Sequence, residues 1–92
     1  DRAGVEIDLV AVSASTRTIR FGTCKRNPAK LPASVPRLKA CADAFVRHHR
    51  EYTDWVTEYC AIAPDIPDVI ADELNREGVL CQPLSGLWKA LL

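Results

Sequence analysis

Two short stretches near the start of the sequence carry carboxylates and a lysine, separated by a polar turn. The stretch "VEIDLVAV" contains Glu6 and Asp8, and the stretch "IRFGTCK" contains Thr23 and Lys25. Residues two apart on a β-strand lie on the same face, so each pair would present its side chains together. Carboxylate oxygens bind Mg²⁺, and a metal with a nearby lysine can activate water and stabilise charge on a phosphodiester. The pattern therefore indicates metal-dependent phosphodiester chemistry.

An antiparallel hairpin is predicted to position these residues. Residues 5–12 alternate between apolar and polar side chains and are rich in strand-forming residues, and residues 18–25 behave in the same way. The intervening "SASTRT" is a polar turn. If the polar faces of the two strands meet, the four candidate residues converge at the end of the hairpin remote from the turn. A plainer alternative is that Glu6 and Asp8 are polar residues on the less buried side of the hairpin.

The rest of the chain predicts helices that alternate with strands. The three prolines of "RNPAKLPASVP" predict a loop, and a helix is expected over about residues 36–51 with Ser34 as N-cap. The further elements predicted are a buried strand in "WVTEYCAIA", a helix in "DIPDVIADELNREG" capped by Asp65 and ended by Gly78, a strand in "VLCQPL" and a terminal helix in "SGLWKALL". The prediction is one α/β domain over residues 1–92, with a mixed sheet in the order β-β-α-β-α-β-α and helices on its faces.

Composition fits a folded, soluble domain that lacks a membrane span. The chain is 48% hydrophobic and 26% charged, and no apolar run approaches the roughly 20 residues of a membrane helix. The sequence has no Met and starts with a polar segment, which favours a piece of a longer protein. Its four cysteines form no Cys-x-x-Cys pair, which argues against a zinc knuckle. Each lies in an apolar stretch, so we expect buried thiols rather than two disulfides, and a cytoplasmic protein.

Charge is distributed unevenly along a chain whose net charge is zero. Residues 17–50 carry nine Lys/Arg and one Asp, whereas residues 51–92 carry two Lys/Arg and eight Asp/Glu. A basic block of this size could follow a phosphate backbone, or could be a solvated face balanced by the acidic half. The candidate nucleic-acid-binding residues are Arg20, Lys25, Arg26, Lys30, Arg37, Lys39 and Arg47.

The two strand motifs together resemble the PD-(D/E)xK nuclease-like superfamily, which includes restriction endonucleases and Holliday-junction resolvases. In that family an Asp on one strand is followed, on the next, by Glu or Asp, any residue, and Lys. Asp8 matches the first element and Lys25 matches the lysine, while Thr23 stands where the second carboxylate is expected. The resemblance implies a restriction-endonuclease-like fold and, if the site is active, Mg²⁺ bound by Asp8 and Glu6 with Lys25 as the catalytic cation.

More narrowly, the chain is similar to the C-terminal domain, of unknown function, of archaeal-type P-loop ATPases. A "Glu-x-Asp-Leu-Val-Ala" strand recurs in that group and matches the segment from Glu6 to Ala11, and its "Gly-Glu-Cys-Lys" strand is matched at Gly22, Cys24 and Lys25. The resemblance implies an ATPase domain elsewhere in a parent chain, since these 92 residues contain no Gly-x-x-x-x-Gly-Lys-Ser/Thr phosphate loop.

Two departures from the family pattern leave three hypotheses open. Thr23 offers a neutral hydroxyl instead of a charged ligand, and residues 1–4 are too short for the helix that precedes the first strand in the family. The first hypothesis is a degenerate, non-catalytic accessory domain that binds DNA or a protein through the basic block. The second is an active Mg²⁺-dependent nuclease in which Glu6 compensates for the lost carboxylate. The third is a structural module that dimerises or docks, in which the segment "SGLWKALL" could exchange between chains.

Overall fold

The computed structural model describes residues 8–84 of the chain. Three strands and two helices of the prediction fall fully inside this range, and most of the first strand's residues do as well. The predicted terminal helix and Glu6 lie outside it. The elements are β1 (Leu9–Ser13), β2 (Thr18–Cys24), α1 (Leu31–His48), β3 (Val56–Ala63), α2 (Asp68–Arg76) and β4 (Val79–Pro83), with single 3₁₀ turns at Pro28–Lys30 and Arg50–Tyr52.

The predicted hairpin is present, and its register is set by a tight turn. β1 and β2 pair antiparallel, with Leu9 opposite Gly22 and Ser13 opposite Thr18. The turn is closed by the Arg17 amide, which donates to the carbonyl of Ala14 at 3.3 Å. Arg17 has φ +53°, a left-handed conformation that lets the turn follow the twist of the two strands.

The four strands form one mixed sheet in the order β1-β2-β3-β4. β2, β3 and β4 run parallel, and each parallel step is made through a helix, as the alternation of strands and helices in the sequence predicts. The α/β class and the mixed four-stranded sheet are therefore confirmed. None of the helices in residues 8–84 is both long enough and apolar enough to cross a membrane.

Both described helices pack on the same face of the sheet. Ala61 and Ala63 of β3 lie in one buried cluster with Leu31 of α1 and Leu74 of α2, so the two helices meet over the same strand. A second cluster joins β2 to the later half of α1, and its members are Ile19, Phe21, Leu38 and Ala42. The sequence predicts helices on both faces; within residues 8–84 they cover one. We call the opposite face the open face.

The first helix begins five residues earlier than predicted. Leu31, Val35, Leu38 and Ala42 are all buried at three- and four-residue spacing, so the apolar stripe extends back into the proline-rich segment. Pro36 lies inside α1, and Ser34 is not its N-cap but donates its hydroxyl to the Leu31 carbonyl at 2.6 Å. Pro32 is tolerated because the first amides of a helix have no intrahelical partner, whereas Pro36, the sixth residue of α1, removes one intrahelical hydrogen bond.

Smaller differences affect the ends of the other elements. α2 begins at Asp68 with Pro67 at its N-cap position, so the predicted cap at Asp65 is wrong. Gly78 follows α2 with φ +79°, in agreement with its predicted role as the residue that ends the helix. β2 ends at Cys24 rather than at residue 25, and β3 begins at Val56.

Candidate functional site

The hairpin brings Asp8 to the end of β2, where Thr23 and Lys25 lie. The Asp8 amide donates to the Gly22 carbonyl at 3.1 Å, and the Asp8 carboxylate Oδ2 accepts from the Cys24 amide at 2.8 Å. Lys25 continues the parallel pairing, since its amide donates to the Ile62 carbonyl at 2.9 Å. Three of the four candidate residues therefore meet at one corner of the sheet, and the fourth, Glu6, lies outside residues 8–84.

Thr23 is buried, on the same face of β2 as the core residues. Its side chain is 4% exposed, and it pairs across the sheet with Ala61, which is fully buried. A neutral hydroxyl can be buried at modest cost, whereas an ionised carboxylate at this position would lose its hydration without a compensating charge. The packing around position 23 thus suits threonine better than the acidic residue that the PD-(D/E)xK pattern places there.

The described residues do not provide a fitting site for Mg²⁺. No group of three His, Cys, Asp or Glu side chains in residues 8–84 is placed to share a metal ion. Asp8 supplies one carboxylate, and one of its oxygens already accepts a hydrogen bond from the chain. Mg²⁺ requires near-octahedral oxygen coordination, so this donor set is too small to define a protein site.

Cys24 lies beside the Asp8 carboxylate on the open face. Burial raises the pKa of the Cys24 thiol, and the negative charge of Asp8 raises it further. Burial likewise raises the pKa of Cys60, the nearest cysteine on β3. Thiols with raised pKa are poor nucleophiles at neutral pH, so neither residue has the activation expected of a catalytic cysteine. The four cysteines are thiols rather than disulfides, as predicted, but only Cys60 is buried; Cys41 and Cys81 are half-buried and Cys24 is exposed.

Three cations lie together where β2 ends and α1 begins. Lys25, Arg26 and Lys30 fall within six residues of chain, and none forms an ion pair within residues 8–84. Asn27, between them, fixes the local backbone by accepting from the Ala29 amide at 3.0 Å. We call these three residues the edge cations, because they lie at the carboxyl edge of the parallel strands. That edge is where open α/β sheets generally bind ligands.

The other candidate cations are dispersed over the molecule. Arg20 lies on the open face and binds Glu58 on β3 through Nε and Nη2, at 3.0 and 2.7 Å. Lys39 donates to the Glu77 carbonyl at 2.7 Å, at the end of α2. Arg37 is exposed on α1, and Arg47 is exposed near the far end of that helix. The basic block of the sequence therefore does not form one continuous surface.

Two of the edge cations, Lys25 and Arg26, border a shallow cavity of about 400 Å³ at the carboxyl edge. It is lined by Cys24, Lys25, Arg26, Ile62, Ala63, Pro64 and Leu84. The floor is apolar and the rim is positively charged, which is an arrangement that can accept an anionic group attached to an apolar body. Sequence reasoning did not identify this cavity, because it is formed by the ends of three strands that are distant in sequence.

His49 takes part in packing. His49 stacks on Phe45, with ring centroids 4.1 Å apart, and its Nδ1 lies 2.9 Å from the Phe45 carbonyl oxygen. Tyr52 and Trp55 extend the same aromatic cluster by an edge-on contact at 5.0 Å. These contacts indicate that His49 and Trp55 contribute to packing.

Comparisons with protein-family models, with curated proteins and with solved structures found no match to this chain.

Proposed function

We propose that this chain is a non-catalytic, nuclease-like accessory domain that binds the backbone of duplex DNA through the edge cations. The observation that carries the proposal is the cluster of Lys25, Arg26 and Lys30, three cations without ion-pair partners in residues 8–84 at the carboxyl edge of the sheet. Cations in such a position bind phosphates and release condensed counterions, which is the main source of sequence-independent DNA affinity.

The residues around Asp8 support the proposal that the domain is not catalytic. Thr23 is buried and neutral, and residues 8–84 offer no set of three metal-binding side chains. A hydrolase of the PD-(D/E)xK type needs a metal to activate water and to stabilise the leaving group. Lys25 would then serve as a phosphate-binding residue rather than as part of a hydrolytic centre.

The wider context of the proposal rests on the sequence resemblance to the C-terminal domain of P-loop ATPases. The domain would be attached to an ATPase whose nucleotide site lies outside these 92 residues. DNA bound at the edge cations would be presented to that ATPase, since a tethered site acts at a high effective concentration.

The salt dependence of DNA binding tests the proposal, with two charge-matched double variants. If three phosphates are contacted, the slope of log affinity against log salt is about −2.7, equivalent to about forty-fold weaker binding on going from about 50 to about 200 mM salt. Arg26→Ala with Lys30→Ala should reduce the slope by about 1.8. Arg47→Ala with Arg50→Ala removes the same charge from the far end of α1, about 25 Å from Lys30, and from the turn that follows it, and should leave the slope unchanged.

Two results would overturn the proposal. Equal effects of the two double variants would show that DNA responds to net charge and not to the edge cations. Cleavage of DNA by the chain with Mg²⁺ or Mn²⁺, abolished by Asp8→Ala, would instead establish the active nuclease that the sequence leaves open.

A further inference from the structure

The cavity at the carboxyl edge has an apolar floor that contacts to a DNA backbone would not use. Cys24 and Ile62 lie opposite each other on β2 and β3, and Ala63, Pro64 and Leu84 continue the floor where β3 and β4 end. Ile62 is half-buried and Leu84 is 43% exposed. A phosphate contacts cations and not apolar side chains, so this floor can bind a further chemical group.

The rim of the cavity carries two positive charges. Lys25 is half-buried and Arg26 is exposed, and neither forms an ion pair within residues 8–84. The carboxylates nearest along the chain, Asp8 and Asp65, are not among the described residues that line the cavity. The rim therefore has a net charge of about +2 at neutral pH, since both cations stay protonated.

The thiol of Cys24 does not oppose an anion in this cavity. Burial raises its pKa and the charge of Asp8 raises it further, so Cys24 is neutral at pH 7. A neutral thiol adds a weak hydrogen-bond donor beside the two cations. The lining is thus apolar or neutral on the floor and positive at the rim.

Charge and size together indicate the class of ligand. A phosphate monoester carries a charge of about −1.5 to −2 at pH 7, which matches the two rim cations, whereas a phosphodiester or a carboxylate carries a single charge. The volume of about 400 Å³ is near the lower end of the roughly 300–1,000 Å³ of small-molecule sites. Such a volume suits one ring with its charged substituent.

We propose that the cavity binds a phosphate monoester attached to a ring, with the phosphate on Lys25 and Arg26 and the ring on the floor at Ile62. A free nucleoside monophosphate and the phosphorylated end of a DNA strand both present this chemistry. A base inside a duplex stays stacked, so an internal phosphate would meet only the rim. Binding of a strand end rests on the proposed DNA function, whereas binding of a free nucleotide does not.

NMR titration of the 92-residue chain with phenyl phosphate tests the inference. Inorganic phosphate supplies the charge without the ring, and benzoate supplies the ring with one charge. Phenyl phosphate should give saturable shifts of the amides of Lys25, Arg26 and Ile62. Its Kd should be several-fold lower than that of inorganic phosphate and of benzoate.

Two pairs of variants separate the rim from the floor. Arg26→Gln should weaken phenyl phosphate and inorganic phosphate alike, by about two- to five-fold, and Arg47→Gln on α1 should weaken neither. Ile62→Thr keeps a β-branched strand residue and should weaken phenyl phosphate alone, by about four-fold for each methylene-sized group lost from the contact. Val56→Thr makes the same kind of change at the exposed opposite end of β3 and should have no effect.

Two further ligands distinguish the sources of the phosphate monoester. Duplexes with the same single-stranded overhang are compared with and without a 5′-phosphate, and deoxyadenosine monophosphate is titrated separately. Tighter binding of the phosphorylated end, lost in Ile62→Thr, would assign the cavity to a strand end. Binding of deoxyadenosine monophosphate without that preference would assign it to a free nucleotide.

Three results would overturn the inference. They are phenyl phosphate binding no tighter than inorganic phosphate, benzoate binding as tightly as phenyl phosphate, and equal effects of Ile62→Thr and Val56→Thr. Its failure is distinguishable from that of the proposed function. Binding of blunt duplex at the edge cations without a phenyl phosphate site would overturn the inference alone, and a phenyl phosphate site without DNA affinity would overturn the proposed function alone.

Discussion

Replacement of Asp8 by alanine or asparagine tests two separate effects of this residue: its contribution to stability and its influence on the Cys24 thiol. Its Oδ2 accepts from the Cys24 amide at 2.8 Å and so fastens β1 to the end of β2. Hydrogen bonds to charged groups contribute about 1.5–3 kcal/mol when protected from water. Asp8 is exposed, so solvent screening reduces the value to about 1 kcal/mol. Asp8→Ala should therefore lower the melting temperature by about 4–8 °C. Asp8→Asn should lower the melting temperature less, since its amide oxygen can still accept the hydrogen bond from the Cys24 amide.

The same substitutions have a second effect, on the Cys24 thiol. Burial raises the pKa of Cys24 and the charge of Asp8 raises it further, so Asp8→Asn removes the second cause. The pKa should fall towards its ordinary value of 9.0, more thiolate should form at a given alkaline pH, and iodoacetamide should alkylate Cys24 faster. Because the folded-state pKa lies above the unfolded one, the stability associated with this thiol is complete below pH 9.0 and is lost as pH rises through the raised value.

The assay is a melting curve together with the pH profile of Cys24 alkylation, followed by mass spectrometry. Asp54→Asn, in the loop before β3, removes an equal charge far from the hairpin's end and should change neither measurement. If Asp8→Ala leaves the melting temperature unchanged and Asp8→Asn leaves the alkylation profile unchanged, the placement of Asp8 beside Cys24 is refuted.

Three further experiments test how the elements are held in place. Phe21→Ala removes a fully buried ring that packs edge-on against Phe45, and urea unfolding should show a loss of about 3–5 kcal/mol. Gly78→Ala forces a side chain into a left-handed conformation at φ +79° and should cost about 1 kcal/mol, whereas Gly78→Asn should cost less; equal losses would contradict the conformational reason. A double-mutant cycle on Arg20 and Glu58 should give a coupling below about 1 kcal/mol that declines with added salt, because both side chains are more than a third exposed.

Alternation of side chains along the strands was sufficient to predict the hairpin and to assign neighbouring residues of β2 to opposite faces. Ile19 and Phe21 are fully buried, with Arg20 between them on the other face, as a period of two requires. The same reasoning places Arg20 and Lys25 on opposite faces, yet counting charge along the chain treated them as one basic block. Net charge over a segment does not describe a surface until the faces of its elements are assigned.

Local sequence patterns did not predict where α1 begins or which face of the sheet the helices cover. Prolines at positions 28, 32 and 36 predicted a loop, but tertiary burial of Leu31 and Val35 extends the helix through two of them. Which face a helix covers depends on the handedness of the crossover and on the order of strands, and neither is encoded in helical periodicity. The row of Leu9, Gly22, Cys60 and Leu80 across the open face arises only from the registers of four strands.

An NMR titration of the isotope-labelled chain with a short DNA duplex tests the central claim most directly. The account predicts saturable shifts of the backbone amides of Lys25, Arg26 and Lys30, with the amides around Arg47 unaffected and the DNA intact after Mg²⁺ is added. Shifts centred on Arg47, no saturable shifts at low salt, or strand scission with Mg²⁺ would contradict it.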